Sequence, residues 1–465
     1  MFKTLKNAWG VPEIRKKILF TLFIIVIFRF GSAITVPFLD TAVVGQWMSE
    51  KASNGNFLEY LNILSGGALS KATMFSLGVT PYINASIIIQ LLTYALPPLE
   101  RLQQEGEDGR KKLNTITSIV ALGLSAFMAV AYYLTLKNMK TDGVSAVKYV
   151  GGGTGIFAMF VIICSFMAGS SLVIWMGNRI NEKGIGNGIS MLIFASIVSR
   201  VPDFIKERIN AIAANPGSVW TWVVLVLTIV VILALITFVV FIDKAVRKIP
   251  VQYAKRVVGR KMYGGQNTHL PLKANANGVL PLIFAMTIMQ FPEMIMQFFK
   301  PGSSFMNFWY RWMVSSPKVY ANGAYQATSV LKATGVTYSG IQYAPFVYYV
   351  IYFLLIIAFG YFYTSITFNP VEMSKNLQSN GGFIPGIRAG KPTGEYLGKI
   401  SNRLTLFGSL FLAVIAIVPT IILNMMGVTN MFGATSVLIM VSVALETTEQ
   451  LESQMLMRHY KGFLN

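Results

Sequence analysis

The chain has 465 residues, 54% of them hydrophobic and only 12% charged, about half the charged share of an ordinary soluble protein. That balance, sustained from end to end, excludes a soluble enzyme, a disordered regulator and a secreted disulfide scaffold. Lys and Arg number 39 against 19 Asp and Glu, a formal charge of +20, and in a membrane chain such an excess marks one side of the bilayer.

A bilayer core of about 30 Å takes roughly 20 apolar residues of helix to cross. That ruler predicts ten spans, near 18–39, 74–96, 115–136, 156–177, 185–204, 219–242, 278–299, 343–366, 404–425 and 431–446. The first follows Lys3, Lys6, Arg15, Lys16 and Lys17. Its apolar stretch exceeds the roughly 7–15 residues of a signal h-region and no small-residue cleavage pattern closes it, so it is expected to be a retained helix. The fifth is broken by Gly186 and Gly188, and the tenth is short. With the N-terminus inside, the inner segments hold 26 Lys and Arg and the outer ones 11. The positive-inside rule then puts both termini in the cytoplasm.

Between spans one and two, residues 57–73 are moderately apolar, interrupted by Gly66-Gly67, and too short to cross. Two readings stand: a half-length segment at membrane depth, enclosed by protein or a water-filled cavity, or an amphipathic helix on the outer surface. The inner loops 243–273 and 369–403 are basic and dotted with Gly and Pro. They are solvated positive-inside determinants or a docking platform for a large acidic partner.

Nucleotide, metal and catalytic motifs are missing. Gly386 to Thr393 has the wrong spacing for a phosphate loop, and Pro392 follows Lys391 where Ser or Thr would hold magnesium. Gly184, Gly186 and Gly188 follow no strand. One cysteine, Cys164, and two histidines, His269 and His459, offer neither a disulfide framework nor a zinc site. No cofactor and no enzymatic activity are expected. Away from the span ends, Glu293 is the one carboxylate inside a span and Arg29 the one buried-looking cation. Ion-coupled carriers need intramembrane carboxylates, so a small-solute secondary transporter is only the alternative reading.

Ten spans divide into 1–5 and 6–10, and an odd number in each half makes the halves inverted about an axis in the membrane plane. Spans two and seven then correspond. Ile83, Ile87 and Gln90 stand at i, i+4 and i+7 in one, and Ile283, Thr287 and Gln290 in the other, with Pro81 and Pro281 two residues ahead. Each triplet lies on one helical face. The plain alternative for such stripes is packing or lipid contact.

Six separated stretches resemble the SecY family, the channel subunit of the bacterial Sec translocon. They are Leu61 to Ser70, Pro81 to Leu92, Glu182 to Ser190, Tyr253 to Arg256, Thr268 to Lys273 and Pro385 to Arg388. The resemblance implies an all-α polytopic membrane protein of the bacterial plasma membrane. Its two inverted halves, 1–210 and 211–465, would surround an hourglass pore and hinge near the connection of spans five and six. It implies a half-helix plug at 57–73, including Leu64, Ser65, Gly66 and Gly67, and a pore ring of Ile83, Ile87, Ile193, Ile283, Val437 and Ile439. Spans two and seven, with Gln90, Thr287 and Gln290, would form a lateral gate flanked by spans three and eight, through which apolar passenger segments leave into lipid. Arg256, Arg260, Lys261 and Arg388 would dock the SecA motor ATPase or the ribosome. SecE and SecG would be small partner subunits, and secretory and membrane-protein precursors the passengers. The outer loops 137–155 and 300–342 exceed what the family leads one to expect. The second carries Phe305, Phe308, Trp309, Tyr310 and Trp312, which fits an interfacial aromatic belt.

Overall fold

A computed structural model describes residues 7–51, 62, 64–141, 144–214, 219–253, 256–258, 261–263, 267–275, 277–296, 303–313, 318–321, 324–327, 344–425 and 434–461. The first half contains α1 (Pro12–Gly31), α2 (Thr41–Lys51), α3 (Thr80–Ala95), α4 (Pro97–Gln104), α5 (Glu107–Asn138), the short strands β1 (Lys140–Thr141) and β2 (Val144–Ser145), α6 (Gly152–Lys183), α7 (Gly188–Val198) and α8 (Val201–Ala214). The second half continues with α9 (Val219–Asp243), β3 (Val246–Tyr253), β4 (Arg256–Val258), β5 (Lys261–Tyr263), β6 (Asn267–Lys273), α10 (Leu280–Met296) and α11 (Ser304–Trp312). It closes with β7 (Lys318–Ala321), β8 (Ala324–Ala327), α12 (Ala344–Thr367), α13 (Pro370–Ser379), β9 (Gly382–Phe383), α14 (Lys391–Met425) and α15 (Ala434–Lys461).

Every predicted span coincides with a helix. Among the described residues, six stretches are long and apolar enough to cross a bilayer unaided: α5, α6, α7 running on into α8, α9, α12 with α13, and α14. The α3–α4 pair makes a seventh if taken together, although it is bent by 100°. The break follows from sequence, because Pro97 and Pro98 cannot continue the hydrogen-bond ladder of α3. α1, α10 and α15 fill the remaining predicted positions. α10 is a shorter apolar helix, and α1 carries Arg15, Lys16 and Lys17 in its first turns. Helices α5, α6 and α14 run to 32, 32 and 35 residues, and α15 to 28, all longer than their apolar stretches. Hydropathy marks only the part of a helix that meets lipid, so the polar extensions of α14 and α15 escape it.

The outward faces are apolar where lipid would touch them. α9 exposes Val223, Leu227, Val230, Leu233, Phe238 and Phe241, the expected surface for a helix bathed in hydrocarbon. Inside, one cluster joins both halves, running from Ile24 and Phe28 of α1 through α7 and α10 to Val437, Leu438 and Ile439 of α15. A second core belongs to the first half, where Tyr132 of α5 meets Phe166 of α6 with ring centroids 5.1 Å apart.

The two basic loops are more ordered than loops. β3 pairs antiparallel with β6 over seven residues, and β9 from the other loop pairs with the end of β3 through Gln252 and Tyr253. The three-stranded order β6-β3-β9 has its own small core of Ile249, Val251, Leu377, Ile384 and Leu397. Alternation along β3 turns Ile249 and Val251 inward. The loops at 243–273 and 369–403 are therefore one platform. The outer loop 300–342 likewise holds α11 and the β7–β8 hairpin.

Candidate functional site

The predicted ring residues come from four helices, and tertiary packing brings five of them together. Ile193 of α7, Ile283 of α10 and Val437 and Ile439 of α15 are buried members of the cluster that spans both halves, and Ile83 of α3 packs half-buried against it. Ile87 is 4% exposed but is not among that cluster's members. Local sequence explains the placement of α7. Asn187 caps it, its Oδ1 accepting from the backbone N–H of Ile189 and Ser190 at 3.1 and 3.3 Å. Gly188 lets the helix start lie on the backbone of α6. At the α3 entrance Pro81 occupies the first turn, where its missing N–H costs nothing.

A cavity of about 330 Å³ adjoins this apolar cluster. Ile193, Ile283 and Ile439 line it, together with Ser190, Asn275, Asn277, Asp243, Glu446 and Glu449. Its lining thus mixes polar groups with branched aliphatic ones. Its polar groups are fixed by one another. Asp243, at the end of α9, accepts from Asn275 Nδ2 at 2.9 Å and from Ser442 Oγ at 3.2 Å. Lys273 Nζ meets Glu449 Oε2 at 2.5 Å. Asn277 Nδ2 donates to Gly360 O at 2.9 Å and to Thr364 Oγ1 at 2.7 Å, tying α12 to the start of α10. Sequence reasoning did not single out this rim. Asp243, closing the most apolar span, was its visible signal.

The segment before α3 sits inside the protein. Residues 62 and 64 are helical and 65–72 run on as turns, and the earlier part of the predicted plug, 57–61 and 63, lies outside the described residues. Leu64 and Ser65 are 3% and 1% exposed, while Gly66 and Gly67 are half-buried with φ of +65° and +84°. Ser65 Oγ accepts from Leu69 N at 3.2 Å, and Asn62 Oδ1 from Ser70 N at 3.0 Å. Tyr132 Oη donates to Leu69 O at 2.9 Å. The base of the segment is tied to the end of α1 through Met74 N to Ile34 O and Val36 N to Ala72 O, both 3.0 Å. Phe28 stacks on Phe75 at 5.7 Å. Among the described residues of the segment, Asn62, Leu64, Ser65, Ala68, Leu69, Ala72 and Thr73 are buried and Lys71 is exposed, which favours a segment enclosed by protein over a surface helix.

The proposed gate residues are half-buried: Gln90 on α3, and Thr287 and Gln290 on α10. Gln90 Nε2 donates within its own helix, to Ser86 Oγ at 3.2 Å. α3 packs on α5, and α10 on α5 and α12. One aromatic contact crosses between the halves here, Tyr94 of α3 edge-on to Phe362 of α12 at 5.8 Å. Of the basic residues, Arg388 is exposed, and its carbonyl accepts from Thr393 Oγ1 at 2.8 Å. Arg256 and Lys261 lie in the β4–β5 hairpin. Arg260 lies outside the described residues. Among the described residues no group of His, Cys, Asp and Glu is placed to hold a metal ion.

Comparison with known proteins gives one answer. The family model for SecY matches residues 73–448. The protein translocase subunit SecY of Streptomyces galbus is 39% identical over 470 residues, covering all of both chains. Among solved structures, a SecY channel whose plug domain stabilises the closed state matches with a TM-score of 0.63 at 18% identity, over 97% of this chain and 96% of that one. Canine Sec61 in a ribosome–channel complex matches with a TM-score of 0.58 at 18% identity, over the same shares.

Proposed function

This chain belongs to the SecY family and is a protein-conducting channel subunit of a translocase, and from that premise we propose how its own residues conduct and seal. Ile83, Ile87, Ile193, Ile283, Val437 and Ile439 form the constriction. What supports this is the gathering of residues from α3, α7, α10 and α15 into one apolar cluster beside a cavity that Ile193, Ile283 and Ile439 line together with polar groups. A collar of branched aliphatic side chains dewets when empty, so ions stop there. It carries no charge and no hydrogen-bonding preference, so an unfolded chain of any sequence slides past it. Residues 1–210 and 211–465 are the two halves around it.

The enclosed segment with Leu64, Ser65, Gly66 and Gly67 is the plug on the far side of the collar. Parting of α3 from α10, at Gln90, Thr287 and Gln290, opens the lateral gate to membrane lipid. Arg256, Arg260, Lys261 and Arg388, from the two basic loops, meet SecA or the ribosome, and arginine's planar fork suits carboxylate and phosphate on either. SecE and SecG complete the complex, with both termini in the cytoplasm of a bacterial plasma membrane. The channel performs no chemistry itself, and the motor supplies the energy.

Reconstitution tests the constriction directly. With Ile83, Ile87, Ile193, Ile283, Val437 and Ile439 all replaced by Gly, proteoliposomes should leak ions while a secretory precursor still becomes protease-protected. Unchanged ion flux would remove the ring assignment. For the platform, Arg388→Glu should stop motor-driven export with the protein still in the membrane, and normal export would remove the docking assignment.

A further inference from the structure

Arg29 lies in the last turn of α1 and its side chain reaches the plug segment. A Cβ built on Gly66 would stand 2.9 Å from Arg29 Nη1 and 3.0 Å from both Cα and O of Ser196 in α7. Gly66 is therefore held between a guanidinium and a helix backbone, in a left-handed conformation that glycine tolerates best. Nη1, buried in a side chain that is otherwise half-exposed, has no hydrogen-bond acceptor. The carboxylate whose field reaches it is Asp203, at the start of α8.

A buried donor without a partner costs more than a made bond returns, and more again when it is charged. That cost is present only while the plug covers it. Once residues 64–70 move away, water reaches Nη1 as well and the penalty disappears. Gly66 has the opposite effect. It permits the close seating, and any side chain there would push the segment off Ser196.

We propose that Arg29 is a positioning residue that biases the plug toward release: its buried Nη1, left without an acceptor beside Gly66, keeps the seated state shallow enough for a passenger to displace it. The inference rests on residues 64–73 being the plug. A latch would act with the opposite sign, since removing a latch frees the segment and removing Arg29 should hold it.

The test uses the full channel complex in liposomes, with Cys164→Ser and Ser65→Cys, and a charged, water-soluble maleimide on both sides. Ser65 is 1% exposed when the segment is seated, so its labelling rate reports departure. Adding Arg29→Leu should slow labelling by about tenfold, the scale expected for relieving one buried unpaired charged donor. Arg29→Met, a second neutral variant, should do the same, and Arg29→Lys should stay near the parent rate. Gly66→Ala should speed labelling several-fold. Unchanged or faster labelling in the neutral variants, while Gly66→Ala responds, overturns the role of Arg29 and leaves the plug intact as an assignment. If Ser65→Cys stays unlabelled even with Gly66→Ala and with a precursor in transit, the plug assignment itself fails and Arg29's role falls with it.

Discussion

Gly188→Ala is the sharpest perturbation of the constriction that touches none of its residues. A Cβ there would lie 1.9 Å from the carbonyl oxygen of Gly177 and 2.9 Å from Cβ of Ile180. Ordinary carbon–oxygen contact begins at about 3.3 Å, and a backbone carbonyl in mid-helix cannot rotate away. α7 must therefore retreat from α6 by more than an ångström. Gly188 N, which now donates to Asn181 Oδ1 at 2.6 Å, is dragged from its acceptor. The expected cost is about 1–3 kcal/mol for the overpacking and about 1 kcal/mol for the stretched hydrogen bond. Ile193 follows five residues later, about 7.5 Å along the same helix, so the displacement reaches the collar. The expected outcome is a lower unfolding temperature in detergent together with raised ion efflux from proteoliposomes. Gly123→Ala is the control, because nothing lies within 4 Å of its Cβ, and it should stabilise α5 by about 0.5–1 kcal/mol. A Gly188→Ala channel with the parent's melting temperature and the parent's ion flux would refute the reasoning.

Other predictions follow from the contacts. Thr364→Val strips a hydroxyl that donates to Gly360 O at 2.9 Å, accepts from Asn277 Nδ2 and lies 3.0 Å from Thr405 Oγ1. It should destabilise the second half by about 1–3 kcal/mol, read as earlier thermal unfolding, and Thr364→Ser should recover most of it. Tyr94→Ala removes the edge-on contact with Phe362 between the halves, worth about 0.5–1.5 kcal/mol. Spontaneous openings in planar bilayers should then rise by roughly fivefold at about 1 kcal/mol, and an unchanged open fraction would show that this contact does not hold the gate. Glu449→Gln should change stability by less than about 1 kcal/mol, because both partners of the Lys273 pair are nearly half exposed, and a larger loss in a melting assay would mean that the rim is drier than its exposure implies.

The positions of the apolar helices were legible in the chain because crossing a bilayer imposes a local requirement: a run of apolar residues of set length, wherever it lies. The paired stripes at Ile83 and Ile283 were legible as faces for the same reason, since helical period alone assigns residues to one side. What each face meets is a different matter. Ile83 and Ile193 are 110 positions apart in the chain, and only the packing of α3, α7, α10 and α15 puts them on one cluster. The two basic loops gave no sign of sharing a sheet, because β9 contributes two residues and finds its register on Gln252 and Tyr253 through backbone hydrogen bonds that side-chain pattern does not encode.

Composition and periodicity thus determined that this is a multi-spanning membrane chain with two inverted halves, and where its helices begin to be apolar. Tertiary structure decided that residues 65–72 run as turns with Ser65, Ala68, Leu69 and Ala72 buried, that Gly66 rests between Arg29 and Ser196, and that Ile193, Ile283 and Ile439 share a cavity with polar groups. The physical reason is range. Hydrophobic burial in lipid is settled residue by residue along the chain, whereas a seal, a rim and a seated glycine exist only where distant segments approach within contact distance.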